Sequence, residues 1–488
     1  MRKDYLIKER LVVGREFTVT IMAQNKTTLL KDLLKKNKLN IAINDIENNK
    51  QYKVYDLLEK IKEIQGFFKK KKLKKNDLIL VDLPNSLEFI AIYFACIFSK
   101  ISIVPLSKAL SKDQKSYIKK FCKPNLILKT NFLKSKNNKI NIKRKFKKNY
   151  AIFFTSGTTN KPKGVCHTFD NLIDNAIVFN NFTQIKKKLN FLHFLPMGYM
   201  AGFLNSILCP FLAESNLFLI KNYNINTSMK FFELLKNYKI NYFWATPSLI
   251  DFLNKLNCNK NLLKKIKSNL RMIFVGTAPF PKKLNNDFYK KLKVKCLESY
   301  GSTEQLLIST NSTNFKIHKS GKILPSIKYE LTNQNEIIIN SRFTFDGYLK
   351  RYNEVEKRGS KIFETGDLAK INRKNYLEII GRKKNIIIKN GINYSPKYYE
   401  EKIESFKSVN RAIVLGVSDK NLNQKIYVII EPKNKKNLQF LKNKIKISFK
   451  EIDDVIFLKK IPLTNIGKPD INHLNEIIKK YEKKNKNY

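Results

Sequence analysis

Acidic residues are scarce in this chain. Only 40 Asp and Glu stand against 95 Lys and Arg over 488 residues, a formal net charge of +55. Arginine is scarce as well, because the positive charge is overwhelmingly lysine and is spread along the whole length. A nucleic-acid binder gathers its cations on one surface and uses arginine to read base edges bidentately, so this pattern argues against that class. Lysine, asparagine, isoleucine and phenylalanine are enriched together, which fits the codons of an AT-rich genome better than selection by an acidic partner. The densest basic run, GFFKKKKLKKND at 66–77, reads as a solvated helix end or loop.

Cysteine pairs are missing too. The six cysteines, Cys96, Cys122, Cys166, Cys209, Cys258 and Cys296, form no CxxC and no zinc-ligand spacing, and the four histidines are dispersed. This excludes a disulfide framework and a structural zinc site, and implies buried free thiols in a reducing compartment. Long apolar runs are absent: FIAIYFACIF at 89–98 falls well short of the roughly 20 residues that cross a bilayer. The opening MRKDYLIKERL lacks the apolar segment of a signal peptide. The expectation is a cytoplasmic protein with no transmembrane segment.

What is present fits a large globular protein. At 57.2 kDa and 43% hydrophobic residues the chain has material for two or three domains with real cores. Short β-rich runs alternate with helical patterns, the mark of α/β layering. DLILVDLP (77–84) reads as a buried strand, followed by the helix NSLEFIAIYFACIF with Asn85 and Glu88 as a capping box, and then by the strand ISIVPL (101–106). The rhythm returns at NYFWATPSLIDFLNKL (241–256) and RMIFVGTAPFPKKLNNDFYKKL (271–292). Beyond about residue 380 the scale changes. RAIVLGV, KIYVIIEP, NLQFLKNKIKIS and DDVIFLKKIP suggest a small separate α+β domain, with a boundary at GRKKN (381–385) and a frayed lysine-rich tail from Lys479. The predicted fold is therefore α/β, with a large N-terminal domain of layered subdomains (1–381) and a small mobile C-terminal α+β domain (382–488).

Five short segments, with VGTAP (275–279) upstream of the second, carry chemistry. In FFTSGTTNKPKGV (153–165) a strand runs into a turn. Gly157 and Gly164 allow close approach of an anion, Thr155, Ser156, Thr158 and Thr159 offer hydroxyls, and Lys163 adds a charge. The spacing is not that of a Walker loop. ESYGSTEQ (298–305), read as a polar loop, holds Tyr300 for stacking on a base, Gly301 for a tight turn, Thr303 as a phosphate donor and Glu304 as a hard oxygen ligand of the kind Mg²⁺ takes beside phosphates. VGTAP ends a strand with Gly276, Thr277, Ala278 and Pro279, small enough for backbone groups to meet an adenine edge. FETGDLAK presents Asp367 on a turn, able to accept two hydroxyls. GRKKNIIIKNGINYSP contains Arg382, and PLTNIGKPD places Lys468 in a Pro- and Gly-rich loop.

These segments, in this order over nearly the whole chain, resemble the adenylate-forming superfamily, which includes acyl-CoA synthetases, aryl-CoA ligases, luciferases and peptide-synthetase adenylation domains. The resemblance implies ATP, Mg²⁺ and either coenzyme A or a phosphopantetheinyl carrier as cofactors and partners. It further implies that Thr155 to Lys163 embrace the β- and γ-phosphates, Thr303 meets the α-phosphate and Glu304 binds Mg²⁺. Gly276 to Pro279 and Tyr300 would hold adenine, and Asp367 and Arg382 the ribose. Lys468 would bridge substrate carboxylate and α-phosphate, Lys384 would be the hinge, and Gly391 would sit on the loop that serves thioester formation. Asn160 and Asn390 stand where the family commonly has glycine, and asparagine tolerates left-handed backbone better than most residues. LPMGYMAGF (195–203) is similar to the acyl-pocket motif, with Tyr199 in a place often held by His and Gly202 beside it.

Three activities fit that resemblance: an acid–CoA ligase for a fatty or aromatic acid, a free-standing adenylation enzyme loading a carrier protein, and a non-catalytic basic binding protein on the same fold. Amino-acid activators of the family usually carry an Asp near the start of the acyl pocket, and none occurs at 196–203. That absence, with Glu304, Asp367, Arg382 and Lys468 all in place, favours the first reading.

Overall fold

The computed structural model describes residues 25–39, 42–108, 110–134, 146–155, 162–278, 280–313, 319–350, 354–357, 359–419, 422–434, 436–463 and 469–485. Two large mixed sheets organise the N-terminal part. In one, seven strands run in the spatial order Val355–Lys357, Gly347–Leu349, Lys163–Thr168, Tyr150–Thr155, Ser102–Pro105, Leu78–Val81, Leu126–Leu128. In the other, nine strands run from Lys322–Ile323 through Leu306–Thr310, Cys296–Ser302, Met272–Val275 and Tyr242–Ala245 to Asn190–His193, Asn216–Leu219, Ala42–Asp45 and Lys50–Lys53. The expected α/β layering is present.

One continuous core joins the two sheets. Ile79, Ile103 and Phe153 of the first and Phe191, Tyr242 and Phe274 of the second pack into a single cluster with helices Leu87–Ser99 and Phe169–Thr183. Helix Leu87–Ser99 is apolar almost all round, with Leu87 and every residue from Phe89 to Ile97 buried, as an interior helix must be. Each such side chain contributes about 1.5–3 kcal/mol by leaving water. The helix starts differently from expectation. Ser86, not Asn85, is its cap, its hydroxyl accepting from the Phe89 N–H at 3.2 Å. Asn85 instead ties three segments, donating to the carbonyls of Leu195 (3.1 Å) and Ile220 (3.2 Å) and accepting from the Met197 N–H (2.9 Å). An amide side chain can both donate and accept, which makes it more useful between loops than at a helix end.

Several helices stop without glycine. Lys100, Lys123 and Lys293 close helices Leu87–Ser99, Lys112–Cys122 and Lys282–Leu292 with φ of 53°, 42° and 57°, each donating its N–H back to a carbonyl of the last turn. The basic run at 66–77 begins at the end of helix Val54–Lys70 and continues through a loop, as expected. Cys96, Cys122, Cys166, Cys209 and Cys296 are buried free thiols, while Cys258 is half-exposed.

A four-stranded antiparallel sheet follows, in the order Ile327–Leu331, Glu336–Ser341, Ile362–Ile371, Leu377–Arg382. The C-terminal part is smaller. Strands Val409–Asp419 and Asn423–Pro432 pair antiparallel, and Asp454–Phe457 joins the second in parallel. Helices Pro396–Glu404 and Leu438–Ser448 cover one face through Tyr399, Ile403, Leu441 and Ile445. The other face is covered by the last helix, Ile471–Asn485. The lysine-rich tail therefore does not fray at Lys479. Leu474 and Ile478 are fully buried against Ile413, Ile429 and Ile456, Tyr481 donates to Asp454 at 2.6 Å, and Glu482 accepts from Tyr427 at 2.8 Å. One apolar stripe at helical spacing outweighs the charge of the lysines between. Among the described residues no helix is long and apolar enough to cross a membrane.

Ile478→Ala should cost about 2–5 kcal/mol, as expected for a buried aliphatic truncation, read as a lower urea midpoint by circular dichroism. A loss under about 0.5 kcal/mol would show that this helix is not docked.

Candidate functional site

The site grows from two hairpins and one ladder. Strand Tyr150–Thr155 turns back as Lys163–Thr168, with Thr155 paired to Lys163 at the neck of the loop. Thr155 is half-buried and Lys163 exposed. Ser156, Gly157, Thr158, Thr159 and Asn160 lie outside the described residues. ESYGSTEQ is not a free loop. Strand Cys296–Ser302 carries it into a hairpin with Leu306–Thr310, and the register slips between Tyr300 and Gly301. That slip needs glycine, because a Cβ on Gly301 would lie 2.1 Å from the Leu306 carbonyl oxygen. A strand end rather than a loop gives Thr303 and Glu304 fixed positions at the tip.

Asp367 is likewise not on a turn. It lies within strand Ile362–Ile371, opposite Arg382 in the neighbouring strand. Its carboxylate accepts from the Arg382 Nε at 2.6 Å and from the Tyr300 hydroxyl at 2.7 Å, and its own N–H donates to Thr365 Oγ1 at 3.0 Å. Tyr300, Asp367 and Arg382 thus form one connected group across two sheets. Burial, and then the Asp367 carboxylate, push the Tyr300 phenol well above its ordinary range, so it stays a donor. Each carboxylate oxygen of Asp367 keeps a further lone pair for a ligand hydroxyl.

Gly276, Thr277 and Ala278 follow strand Met272–Val275, and Pro279 lies outside the described residues. Gly276 is buried 3.4 Å (as a would-be Cβ) from the Ser299 carbonyl, next to the strand that carries Tyr300, while Thr277 has φ of 73°. Tyr199 precedes the short helix Met200–Phe203 and is half-buried; burial raises its phenol, and a hydrogen bond with Ser107 opposes the rise. Gly202 packs on Pro196, where a Cβ would meet the carbonyl oxygen at 1.9 Å. The surroundings, Met197, Phe203 and Leu204, are apolar and buried, and the helix widens to a π turn at Leu204–Leu208. Lys384 sits in the single turn Lys383–Asn385 after Arg382. Gly391 turns the hairpin Ile387–Lys389 to Ile392–Tyr394, with φ of 75° there and 51° at Asn390, so asparagine does adopt the left-handed backbone. Lys468 lies outside the described residues, in the segment bounded by the bridge between Leu463 and Pro469.

Two residues that sequence reasoning passed over hold the Thr303–Glu304 tip. His167, fully buried on strand Lys163–Thr168, has Nε2 2.7 Å from the Thr303 carbonyl oxygen. A carbonyl only accepts, so Nε2 carries the proton and the ring is neutral; burial lowers its pKa to about 4. Tyr348 donates to Glu304 Oε1 at 3.1 Å. Their only sequence signal is a His immediately before the helix cap Thr168 and a Tyr after a glycine, neither of which marks a site. Among the described residues no group of three or more His, Cys, Asp or Glu could cage a metal ion, and no Lys or Arg forms an ion pair with Glu304. A half-buried carboxylate held by a tyrosine hydroxyl rather than by a lysine or arginine fits Mg²⁺, which takes one or two carboxylates and fills its shell with phosphate oxygens and water.

Comparison with known proteins followed the geometry. A family model described as AMP-binding enzyme matches residues 34–149 and 140–349. A medium-chain fatty-acid–CoA ligase of Escherichia coli is 26% identical over 345 residues, 65% of this chain and 59% of that enzyme. A 2-succinylbenzoate–CoA ligase of Listeria monocytogenes is 25% identical over 336 residues, 67% of this chain and 69% of that one. The match thus spans about three-fifths to two-thirds of these relatives' length. Among solved structures, ATP-bound MatB from Rhodopseudomonas palustris superposes with a TM-score of 0.80 at 19% identity, covering 92% of this chain and 98% of that one. The anthranilate CoA ligase AuaEII with anthranoyl-AMP gives 0.78 at 15% identity, covering 93% and 97%. These structural likenesses establish the fold, a large N-terminal α/β domain with a smaller C-terminal one.

His167 and His193 are both fully buried with pKa values lowered from 6.5 to about 4. A lowered folded pKa means full stability above pH 6.5, lost as pH falls toward 4 while only the unfolded chain takes up protons. Going from pH 6.5 to 5 should therefore cost roughly 2 kcal/mol per ring, seen as a falling urea midpoint. His167→Gln should remove about half of that slope, and an unchanged slope would contradict the burial of a neutral ring.

Proposed function

We propose that this chain, which belongs to the AMP-binding enzyme family, is an acid–CoA ligase. It would convert ATP, a carboxylic acid and CoA to acyl-CoA, AMP and pyrophosphate through an acyl-adenylate. The observation that carries this reading is the linked group Tyr300–Asp367–Arg382, with Tyr300 on the strand that leads to the Thr303–Glu304 tip, which His167 ties to the strand that begins at Lys163. The fatty-acid and aryl-acid ligases among its relatives support the same reading.

The chemistry explains the equipment. A carboxylate is a poor electrophile, so its oxygen first attacks the α-phosphorus and the bond to the β-phosphate breaks, releasing pyrophosphate. A thiol then attacks the acyl carbon and AMP departs with the former carboxylate oxygen. The protein's task is positioning and stabilising charge on the phosphoryl oxygens. Thr155 to Thr159 and Lys163 would hold the β- and γ-phosphates, and Thr303 the α-phosphate. Glu304 would hold Mg²⁺, whose chemistry when bound is to neutralise charge on the triphosphate. Gly276 to Pro279 would lie along adenine with Tyr300. Asp367 would accept the ribose hydroxyls while Arg382 holds its carboxylate in place. Lys468 would place its ammonium between the carboxylate and the α-phosphate.

The acid would enter beside Tyr199 and Gly202. The apolar lining there, with no acidic residue at 196–203, suits a fatty or aromatic acid and leaves a substrate ammonium without a partner. For the same reason a CoA acceptor is preferred to a carrier protein loaded with an amino acid. The small domain from residue 382 would turn about Lys384, bringing Lys468 for the first step and Gly391 for the second. In the present arrangement Lys283 donates to the carbonyls of Glu404 and Val409 at 3.1 and 3.2 Å, and Ser395 to that of Ile380 at 3.2 Å. Such a turn must break some of these bonds.

Pyrophosphate release dependent on an added acid, scanned over medium-chain and aryl acids, tests the activity; release with no acid of any class would refute it. Lys468→Ala should lower acid-dependent release about 100–1,000-fold, the scale for losing a transition-state donor. Unchanged release would remove Lys468 from the mechanism. Asp367→Ala should raise the KM for ATP with little change in that for the acid, and equal effects on both would argue against a ribose role.

A further inference from the structure

Segment 345–348 grips the Thr303–Glu304 tip at both backbone and side chain. The Phe345 N–H donates to the Glu304 carbonyl at 2.9 Å. Three residues on, the Tyr348 hydroxyl donates to the Glu304 carboxylate at 3.1 Å. The same tyrosine faces the other hairpin. Strand Gly347–Leu349 pairs antiparallel with Lys163–Thr168, with Tyr348 opposite Val165, which puts Lys163 diagonally across on the same face. Lys163 Nζ lies 5.4 Å from the centre of the Tyr348 ring, within the range of a cation–π contact. One side chain thus touches the cation of one functional hairpin and the carboxylate of the other.

The segment itself is well fixed. Phe345 is almost fully buried and meets the Tyr348 ring edge-on with centroids 4.8 Å apart. Asp346 accepts from the Tyr150 hydroxyl at 3.0 Å and pairs with Lys148 at 2.8 Å, and its N–H donates to the Cys166 carbonyl at 3.0 Å. Gly347 has φ of 154°, and a Cβ there would lie 1.8 Å from the Glu356 carbonyl oxygen, so only glycine lets the third strand close over it.

We propose that Tyr348 is a positioning residue of the nucleotide site: it orients the Glu304 carboxylate toward a divalent cation and holds Lys163 over its ring. This rests on the functional reading above. A hydroxyl donating to one carboxylate oxygen leaves the other directed to the metal, and outer-shell partners of this kind typically govern 10–100-fold in metal affinity or activity. The ring acts separately, on the lysine.

The two contributions separate in binding experiments that need no turnover. Mn²⁺ binding is measured by electron paramagnetic resonance in the presence of the non-cleavable α,β-methylene analogue of ATP, and analogue binding without metal by calorimetry. Tyr348→Phe keeps the ring and should weaken Mn²⁺ about tenfold while leaving metal-free analogue binding unchanged. Tyr348→Leu should weaken both. In a Glu304→Gln background, Tyr348→Phe should cause no further loss of analogue affinity measured with Mg²⁺, whereas a general packing defect would add to it. Wild-type Mn²⁺ affinity in Tyr348→Phe, or full additivity in the double variant, overturns the proposal. Failure of the unsubstituted protein to bind the analogue at all overturns the nucleotide reading and this inference with it.

Discussion

The carboxylate of Asp367 joins parts of the molecule that share no strand. Tyr300 reaches it from the nine-stranded sheet and Arg382 from the end of the four-stranded one, both at hydrogen-bond distance. A half-exposed arginine and a half-buried tyrosine alone would leave the gap between those sheets poorly defined. An ionised acceptor with two oxygens fixes both donors at once, and charge-assisted bonds of this type are stronger than neutral ones. The position of strand Cys296–Ser302 relative to Arg382 follows from it, and with that strand come Thr303 and Glu304. The last strand before the small domain also ends at Arg382, so the arrangement of the C-terminal part begins from the same contact.

A second constraint lies beneath the first. Helices Leu87–Ser99 and Phe169–Thr183 sit in one core with both large sheets, and the hairpin strand Lys163–Thr168 continues directly into the second of them through its cap Thr168. Movement of that strand is therefore resisted by the packing of a helix with one deeply buried face. His167 links the two ideas, sitting in the hairpin strand just before that cap and holding the Thr303 carbonyl of the other hairpin. Scaffold and candidate site are continuous here, from the buried helix through His167 to the Thr303 carbonyl.

Much of this was legible in the sequence, for identifiable reasons. Runs such as LILV at 78–81 and MIFV at 272–275 are buried strands because both their faces are covered, and such runs read plainly. The motif residues stand out by chemical type against a background of lysine and isoleucine. Reading failed where a residue's role depends on a distant partner. Asn85 has the composition of a cap but is occupied by Leu195, Met197 and Ile220, more than a hundred residues away. Asp367 and ESYGSTEQ look like turns because their polar residues mask strand pairing with the next strand along the chain. The last helix was obscured by lysine content, although Leu474 and Ile478 already lay at helical spacing. Tyr348 could not be found at all, since its significance arises only when strand Gly347–Leu349 is laid against Lys163–Thr168.

The lysines that close helices deserve a different kind of reading. A left-handed backbone at a residue with a Cβ costs roughly 1–2 kcal/mol, and glycine escapes that penalty. This chain has 16 glycines and instead places Lys100, Lys123 and Lys293 at those corners. If nucleotide composition drives the replacement, the protein carries a distributed conformational debt that no single contact reveals. Its tolerance to further destabilising change would then be set by the genome's base content as much as by its own core.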